Sequence, residues 1–251
     1  MLKTISDNFS KLTLNKKGTS SSDDESKKTL PVPKHEIETQ FEKATFGMGC
    51  FWSSDSLYGA QKGVLRTKVG YSGGSLDNPV YRNLGDHTEV IEIHYDPKTI
   101  AFEKLLNLFW NNHEYGLTTK IKKQYASIIF YHNDEQKETA EKSREAEQKA
   151  RSNETIITQI VKASTFYPAE DYHQKYRLQA HKKLASDLGL SPTSSKLLQT
   201  SYVATKLNGY LVGVGGSKQF LEEAESLGLT DKQIQYVLKY VKENEGGGLS
   251  C

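Results

Sequence analysis

The stretch that decides the fold is ATFGMGCFWSSDSLY, residues 44–58. Residues 44–49 predict a short strand that ends in glycine, and residues 53–58 predict the first turns of a helix. Cys50 lies at the junction, where backbone N–H groups are unpaired and the helix dipole is positive. Both conditions favour a thiolate. From this position alone, a nucleophile and a buried structural cysteine are equally good interpretations of Cys50.

Predicted strands and helices alternate after this unit, which indicates an α+β or α/β protein of two layers. A long polar turn, residues 72–79, follows the second predicted strand. The pattern predicts strands at 64–71, 87–95, 127–131 and 155–163, and helices at 101–112, 134–151, 169–188 and 219–244, the last broken near 227–231.

The ends of the chain differ in composition from its middle. Residues 12–34 are rich in Lys, Ser, Asp and Thr, so residues 1–36 are predicted to form a disordered N-terminal tail. Residues 37–200 are predicted to form one catalytic domain, and residues 201–251 a helical C-terminal extension. The chain ends in GGGLSC, a flexible arm that could carry Cys251 roughly 20 Å from Glu245.

Composition narrows the possible classes of protein. The formal net charge of +2 gives no reason to expect a nucleic acid or an anionic membrane as partner. Two cysteines cannot build a disulfide-rich secreted scaffold, and neither a Cys-x-x-Cys pair nor a histidine spacing predicts a metal site. The N-terminus lacks the apolar segment of a secretory signal. We therefore expect a cytoplasmic protein, with the nucleus as a further option, that works as a monomer.

The motif Gly49-Cys50-Phe51-Trp52 resembles the active-site signature of peptide methionine sulfoxide reductase A. Further matches follow in the family's order and cover roughly residues 42–175. They are GYSGG at 70–74, NPVY at 78–81, HTEV at 87–90, YDP at 95–97, FWNNH at 109–113, QYAS at 124–127 and FYPAEDYHQ at 166–174. The resemblance implies a two-layer α+β sandwich with a mixed sheet, packed helices and a ferredoxin-like core, plus the helical extension.

The same resemblance implies a reaction. The Cys50 thiolate would attack the sulfur of methionine S-sulfoxide, free or within oxidised proteins, leaving a sulfenic acid and releasing methionine. Glu89 would protonate the oxygen, since burial in an apolar strand raises the pKa of a carboxyl. Judged without the resemblance, an exposed carboxylate on an amphipathic strand is the better interpretation of Glu89. Cys251, otherwise an accidental terminal thiol, would resolve the sulfenic acid to a disulfide.

The remaining site residues are aromatic. Tyr81 and Tyr125 would donate hydrogen bonds to the sulfoxide oxygen, although most of the 14 tyrosines must be core or surface residues. Phe51 and Trp52 would hold the substrate methyl group, with ordinary core packing as the alternative. No cofactor is expected to be bound; thioredoxin or another dithiol would reduce the disulfide.

Three residues depart from the family pattern, and one further motif suggests a different kind of site. Asp55 stands where the family carries Glu, and Lys120 stands in a 114–123 loop where an aspartate is expected. Leu211 follows Asn208-Gly209-Tyr210, where many members carry a second resolving cysteine. GVGGSK at 213–218 only superficially suggests a phosphate loop, because it lacks the Gly-Lys-Ser/Thr order.

Two alternative functions remain compatible with these residues. A thiol peroxidase or redox sensor would use the same cysteine pair with peroxide as oxidant. A binding module would recognise oxidised methionine without reducing it, and the altered 114–123 loop would then mark the loss of catalysis.

Overall fold

The computed structural model describes residues 31–113, 116–190 and 195–249, except for the side chain of Ser195. Strands in this part of the chain are β1 (Glu42–Met48), β2 (Val64–Ser72), β3 (Thr88–Tyr95), β4 (Ser127–Tyr131), β5 (Gln159–Lys162) and β6 (Tyr167–Pro168). Helices are α1 (Phe51–Gly59), α2 (Phe102–Asn111), α3 (Asp134–Ala150), α4 (Tyr176–Ala180), α5 (Lys182–Asp187), α6 (Ser195–Thr200), α7 (Tyr202–Tyr210), α8 (Gly216–Glu223) and α9 (Asp231–Asn244). Short 3-10 turns occupy Lys123–Tyr125 and Asp171–His173. None of the described helices combines the length and the apolar character needed to span a bilayer.

The strands form one sheet in the order β5-β4-β1-β3-β2-β6. β1 pairs antiparallel with both β3 and β4, and β2 pairs antiparallel with β3. The order β4-β1-β3-β2, with α1 after β1 and α2 after β3, is the ferredoxin-like arrangement. β5 lies parallel to β4, which makes the sheet mixed. The predicted fold class is therefore confirmed.

The main core lies between α1, α2 and one face of the sheet. Successive side chains of a strand point to opposite faces, so Ile91 and Ile93 of β3 join this core while Val90 packs on the other face with Phe130. Each such buried aliphatic or aromatic side chain contributes about 1.5–3 kcal/mol. Glu89 has the same strand parity as Ile91, which places its carboxyl on the α1 side of the sheet.

The C-terminal helices form a second core, whose helix α7 packs closely against α1. Glycines permit this approach. A Cβ on Gly59 would lie 2.4 Å from the Thr205 carbonyl oxygen, and one on Gly209 would lie 2.5 Å from the Ser56 carbonyl oxygen. Ser201 begins α7 as its N-cap by accepting a hydrogen bond from a backbone N–H of the first turn. The extension therefore covers the side of α1 that faces away from the sheet.

Residues 1–30 of the predicted tail lie outside the described residues, whereas residues 31–36 are described. The backbone N–H of Lys34 donates to the Leu227 carbonyl at 3.0 Å. Val203 and Tyr202 of α7 donate to the carbonyls of Lys34 and His35. The segment just before β1 is thus bonded to the extension.

One predicted helix is wrong. Residues 169–188 were expected to form one helix, but the chain makes a 3-10 turn and then the two short helices α4 and α5. Lys175, the N-cap residue of α4, separates the 3-10 turn from α4 with a left-handed φ of +50°. Its backbone N–H donates to Asp55 Oδ2 at 3.1 Å, and its Nζ lies 3.1 Å from Asp55 Oδ1. A contact with a residue 120 positions away outweighs the local helical pattern.

The predicted strand 155–163 is shorter than expected, since β5 covers only its second half. The two-residue strand β6 was not predicted. It pairs with Gly70 and Tyr71 of β2, and a Cβ on Gly70 would lie 2.4 Å from the Tyr167 carbonyl oxygen.

Candidate active site

Cys50 is the N-cap residue of α1. Gly49 before it has a φ of +87°, a conformation that favours glycine and that turns the chain out of β1. Cys50 is half-buried, and it is disulfide-bonded in this structure. The predicted junction of strand and helix is confirmed. A cysteine at this end of a helix lies near unpaired N–H groups, which favour its thiolate once it is reduced.

A cavity of about 310 Å³ opens beside Cys50. The end of β1, the start of α1 and the end of α2 form its walls, and Gly248 and Leu249 of the C-terminal arm also line it. Leu249 is half-buried and packs against the main core. The described part of the arm thus ends beside Cys50. His113 is another wall residue; burial lowers its pKa to about 4, so this histidine is neutral at physiological pH.

Glu89 is the buried carboxyl of the site, with 2% of its surface exposed. The Phe51 backbone N–H donates to its Oε2 at 3.2 Å, and Gln124 Nε2 donates to its Oε1 at 2.7 Å. Burial raises the pKa of Glu89 to about 7, although both hydrogen bonds act in the opposite direction. Glu89 is therefore not an exposed carboxylate. Its pKa lies near neutrality, where a carboxyl can still donate a proton, and it bonds to the residue next to Cys50.

Three predicted aromatic residues meet around His173. Trp52 Nε1 donates to His173 Nδ1 at 3.1 Å. The rings of Phe51 and Tyr81 have centroids 5.0 Å and 4.6 Å from that of His173. Tyr176 stacks on the outer face of Trp52 at 3.8 Å with an interplanar angle of 3°. The structure therefore brings Phe51, Trp52 and Tyr81 together as one aromatic group at the start of α1.

Glu170 fixes the loop that carries Tyr81. Its Oε1 accepts the Tyr81 backbone N–H at 3.0 Å, and its Oε2 accepts the Tyr71 hydroxyl at 2.8 Å. Glu170 precedes the turn Asp171–His173, so one short segment positions both Tyr81 and Trp52.

Tyr125 is half-buried and ends the 3-10 turn Lys123–Tyr125. The neighbouring Gln124 bonds to Glu89, and the hydroxyl of Thr88 donates to the Lys123 carbonyl at 2.8 Å. This turn is therefore fastened to the start of β3, and Tyr125 directly follows the residue that bonds to Glu89. Cys251 lies outside the described residues, as do residues 114–115 of the altered loop.

Two supporting residues, Gln124 and Glu170, are not among the residues predicted to form or surround the site. Gln124 stands next to Tyr125 in the matched stretch QYAS, and Glu170 stands in the matched stretch FYPAEDYHQ. This proximity in the sequence was the available signal.

The departures from the family pattern have structural outcomes. Asp55 is buried and forms the ion pair with the buried Lys175, so its role is internal to the fold. Lys120 is exposed. Leu211 is 2% exposed and packs in the core of the extension, so an apolar side chain occupies the position at which the resemblance suggests a cysteine.

Within residues 31–113, 116–190 and 195–249, no group of three or more His, Cys, Asp or Glu side chains is placed to hold a metal ion. The site instead combines a cysteine at a helix start, a buried acid with a pKa near neutrality and an aromatic group beside them. This is the arrangement of a thiol-dependent oxidoreductase on a ferredoxin-like core.

Comparison with known proteins specifies the class. Residues 42–206 match the model of the family "Peptide methionine sulfoxide reductase", and residues 194–243 match "Selenoprotein methionine sulfoxide reductase A, helical domain". A peptide methionine sulfoxide reductase of Drosophila melanogaster is 64% identical over 219 residues, which are 87% of this chain and 88% of the relative. An MsrA of Methanococcus maripaludis is 46% identical over 58% of this chain and 98% of its own length.

Solved structures agree. Reduced Mxr1 of Saccharomyces cerevisiae is similar with a TM-score of 0.53 and 26% identity, over 62% of this chain and 92% of that one. The methionine sulfoxide reductase A of Corynebacterium diphtheriae is similar with a TM-score of 0.50 and 29% identity, over 59% and 82% of the two chains. The chain belongs to the peptide methionine sulfoxide reductase family, class A, and is an oxidoreductase that acts on methionine sulfoxide.

Proposed function

We propose that Cys50 is the nucleophile and Glu89 the general acid in the reduction of methionine S-sulfoxide to methionine. The observation that carries this assignment is the environment of Glu89. Its carboxyl is buried, bonds to the N–H of the residue after Cys50, and has a pKa raised to about 7. Such a group can donate a proton near neutral pH, which a sulfoxide oxygen needs when a thiolate attacks the sulfur beside it.

Substrate binding falls to the aromatic group. The rings of Phe51 and Trp52 supply an apolar surface for the methyl group of the substrate. The hydroxyls of Tyr81 and Tyr125 donate hydrogen bonds to the sulfoxide oxygen. The S epimer, and the acceptance of both free and protein-bound sulfoxide, are parts of the proposal that rest on the family.

The first half-reaction transfers the oxygen of the substrate to Cys50. The Cys50 thiolate forms a bond to the sulfoxide sulfur, while the oxygen takes a proton from Glu89. The protonated oxygen then passes to the Cys50 sulfur, while the sulfur–oxygen bond of the substrate and the transient bond between the two sulfurs break, giving a sulfenic acid and methionine. Cys50 is oxidised by two electrons and the substrate sulfur is reduced by two.

Cys251 completes the cycle in this proposal. Its thiol attacks the sulfenic acid on Cys50, so a disulfide forms and water leaves. Thioredoxin or another dithiol then reduces the disulfide by exchange. Support comes from the disulfide-bonded state of Cys50 and from Gly248 and Leu249, which line the cavity beside it. Leu211 adds to the argument, because a second resolving cysteine is replaced there by a packed apolar side chain.

A single turnover without reductant tests the proposal. Each pure epimer of a methionine sulfoxide peptide is mixed with reduced enzyme, and mass spectrometry follows peptide and protein. We expect one equivalent of methionine from the S epimer alone, together with a new Cys50–Cys251 disulfide. Faster oxidation of Cys50 by peroxide than by sulfoxide would favour the peroxidase or sensor alternative, and binding without methionine release would favour the binding module.

Two variants separate the roles of the cysteines. Cys50→Ser should form no methionine, and full activity of this variant would overturn the mechanism. Cys251→Ser should complete one turnover and then stall with thioredoxin; normal cycling would remove Cys251 as the resolving group. The cytoplasmic location, the monomeric state, the domain boundaries and the absence of a bound cofactor stay predictions.

A further inference from the structure

The base of the C-terminal arm makes contacts that have no part in the reaction proposed above. α9 ends at Asn244, and the backbone N–H of Glu245 still donates to the Val241 carbonyl at 2.8 Å. From there GGGLSC leads to Cys251. The arm is short, and its starting point decides which positions Cys251 can reach.

The base of the arm is bonded to the glycine-rich loop at 213–217. The Ser217 hydroxyl and backbone N–H both donate to the Glu245 carboxylate, and the hydroxyl bond, followed by the backbone one, lowers the pKa of Glu245. Ser217 lies in the first turn of α8, where N–H groups are free to bind an anionic side chain. A Cβ on Gly216 would lie 2.4 Å from Glu245 Oε1, so the glycine leaves room for the carboxylate.

The backbone of the arm's base is held at the same loop. Asn244 Nδ2 donates to the Leu211 carbonyl at 3.0 Å. A Cβ on Gly213 would lie 2.3 Å from the Asn244 carbonyl oxygen and 2.7 Å from the Glu245 nitrogen. Both Gly213 and Gly216 have positive φ, a conformation that glycine adopts without strain, and neither carries a Cβ that would block this close approach. The loop that superficially suggested a phosphate site is thus filled by the chain's own carboxylate.

We propose that residues 213–217 with Asn244 and Glu245 form an arm anchor, and that Glu245 is a positioning residue for closure of the Cys50–Cys251 disulfide. The inference rests on the proposed role of Cys251. The anchor holds one end of a short tether, and Leu249 rests near the other end at the cavity beside Cys50. A tether with a fixed base samples a smaller volume, so its thiol meets the sulfenic acid more often.

Glu245→Gln and Ser217→Ala test the anchor in single turnover with S-sulfoxide peptide. Acid-quenched samples give methionine, and mass spectrometry gives the fractions of disulfide and of sulfenic acid trapped with dimedone. We expect the rate of methionine formation to stay unchanged and disulfide closure to slow roughly two- to fivefold, in line with the loss of an exposed charge-assisted contact. Ser217→Thr keeps the hydroxyl and should restore the wild-type rate of closure.

Glu243→Gln is the matched control, since it removes the same charge from α9 and only loosens an exposed pair with Lys239 at 3.9 Å. It should close at the wild-type rate. An equal slowing in Glu243→Gln, or closure at the wild-type rate in both Glu245→Gln and Ser217→Ala, would overturn the anchor. If Cys251→Ser cycles normally with thioredoxin, the resolving role itself fails. If that variant stalls while the anchor variants close normally, only the anchor fails.

Discussion

The substitution Glu89→Gln removes the acidic proton of this side chain and keeps its shape. The amide oxygen of Gln can still accept the Phe51 N–H that now binds Oε2 at 3.2 Å. The Gln124 side chain can rotate its amide so that its oxygen faces the new NH₂ group. Packing at this position is therefore preserved, and only the transferable proton is lost.

We expect the variant to form methionine about a hundred- to ten-thousandfold more slowly in single turnover, the usual contribution of a general acid. The pKa of about 7 also sets a pH dependence. The protonated fraction of Glu89 falls as pH rises through about 7, and well above that it falls roughly tenfold per pH unit. The ratio of wild-type to variant rate should therefore fall as pH rises through 7. The ionisation of Cys50 is common to both proteins and cancels in the ratio.

The same substitution should stabilise the fold in alkaline solution. Burial raises the pKa of Glu89 from 4.5 to about 7, so the folded state binds this proton more tightly than the unfolded state. The associated stability is fully present below pH 4.5 and is lost as pH rises through 7, at a cost of up to about 3 kcal/mol. Glu89→Gln has no such cost. Urea denaturation should find the variant more stable than wild type at pH 8 and no more stable at pH 4.

Glu92→Gln, in the same strand, is the control with the opposite sign. Burial raises the pKa of Glu92, but its hydrogen bond with His94 and the charge of Lys68 outweigh this and lower it to about 2. Its stabilisation is present above pH 4.5 and lost as pH falls through 2, so Glu92→Gln should be less stable than wild type at pH 8 and should form methionine normally. A Glu89→Gln rate within tenfold of wild type at pH 6, or a rate ratio constant from pH 6 to 9, would refute the assignment of Glu89.

Other substitutions address the fold and the aromatic group. Lys175→Met leaves Asp55 buried without its cation, and urea unfolding should show a loss of about 3–5 kcal/mol; an unchanged midpoint would contradict the buried pair. Gly209→Ala places a Cβ 2.5 Å from the Ser56 carbonyl oxygen, and thermal unfolding should show a loss of about 1–3 kcal/mol, whereas no loss would mean that α1 and α7 separate easily. Tyr81→Phe should slow methionine formation about a hundredfold in single turnover, and a wild-type rate would exclude a hydrogen bond from this hydroxyl to the substrate oxygen.

Local signals were sufficient to predict the frame of the active site from the sequence. Alternating apolar residues in β3 and the glycine before Cys50 mark the strand and the turn, and these elements place Cys50 and Glu89. The family motifs supplied Phe51, Trp52 and Tyr81, which do meet around one histidine.

Long-range contacts account for what the sequence did not reveal. Helical spacing over 169–188 gave no sign that Asp55, 120 positions earlier, would bind the backbone of Lys175 and break the helix. Glu170 contacts Tyr81 from 89 positions away, and Gln124 contacts Glu89 from 35. Such pairs become visible only once the sheet has brought distant segments side by side.

The glycine contact between α1 and α7 has a consequence for how this enzyme can be shortened. Almost every residue of α1 is buried, because the sheet covers one side of the helix and the extension covers the other. Trimming the C-terminal extension from this protein would remove the packing on the outer side of α1 and expose Ser56, Gly59 and Ala60 to water. The helix that begins at the reactive thiol is therefore packed by both the sheet and the C-terminal extension, and its burial depends on both.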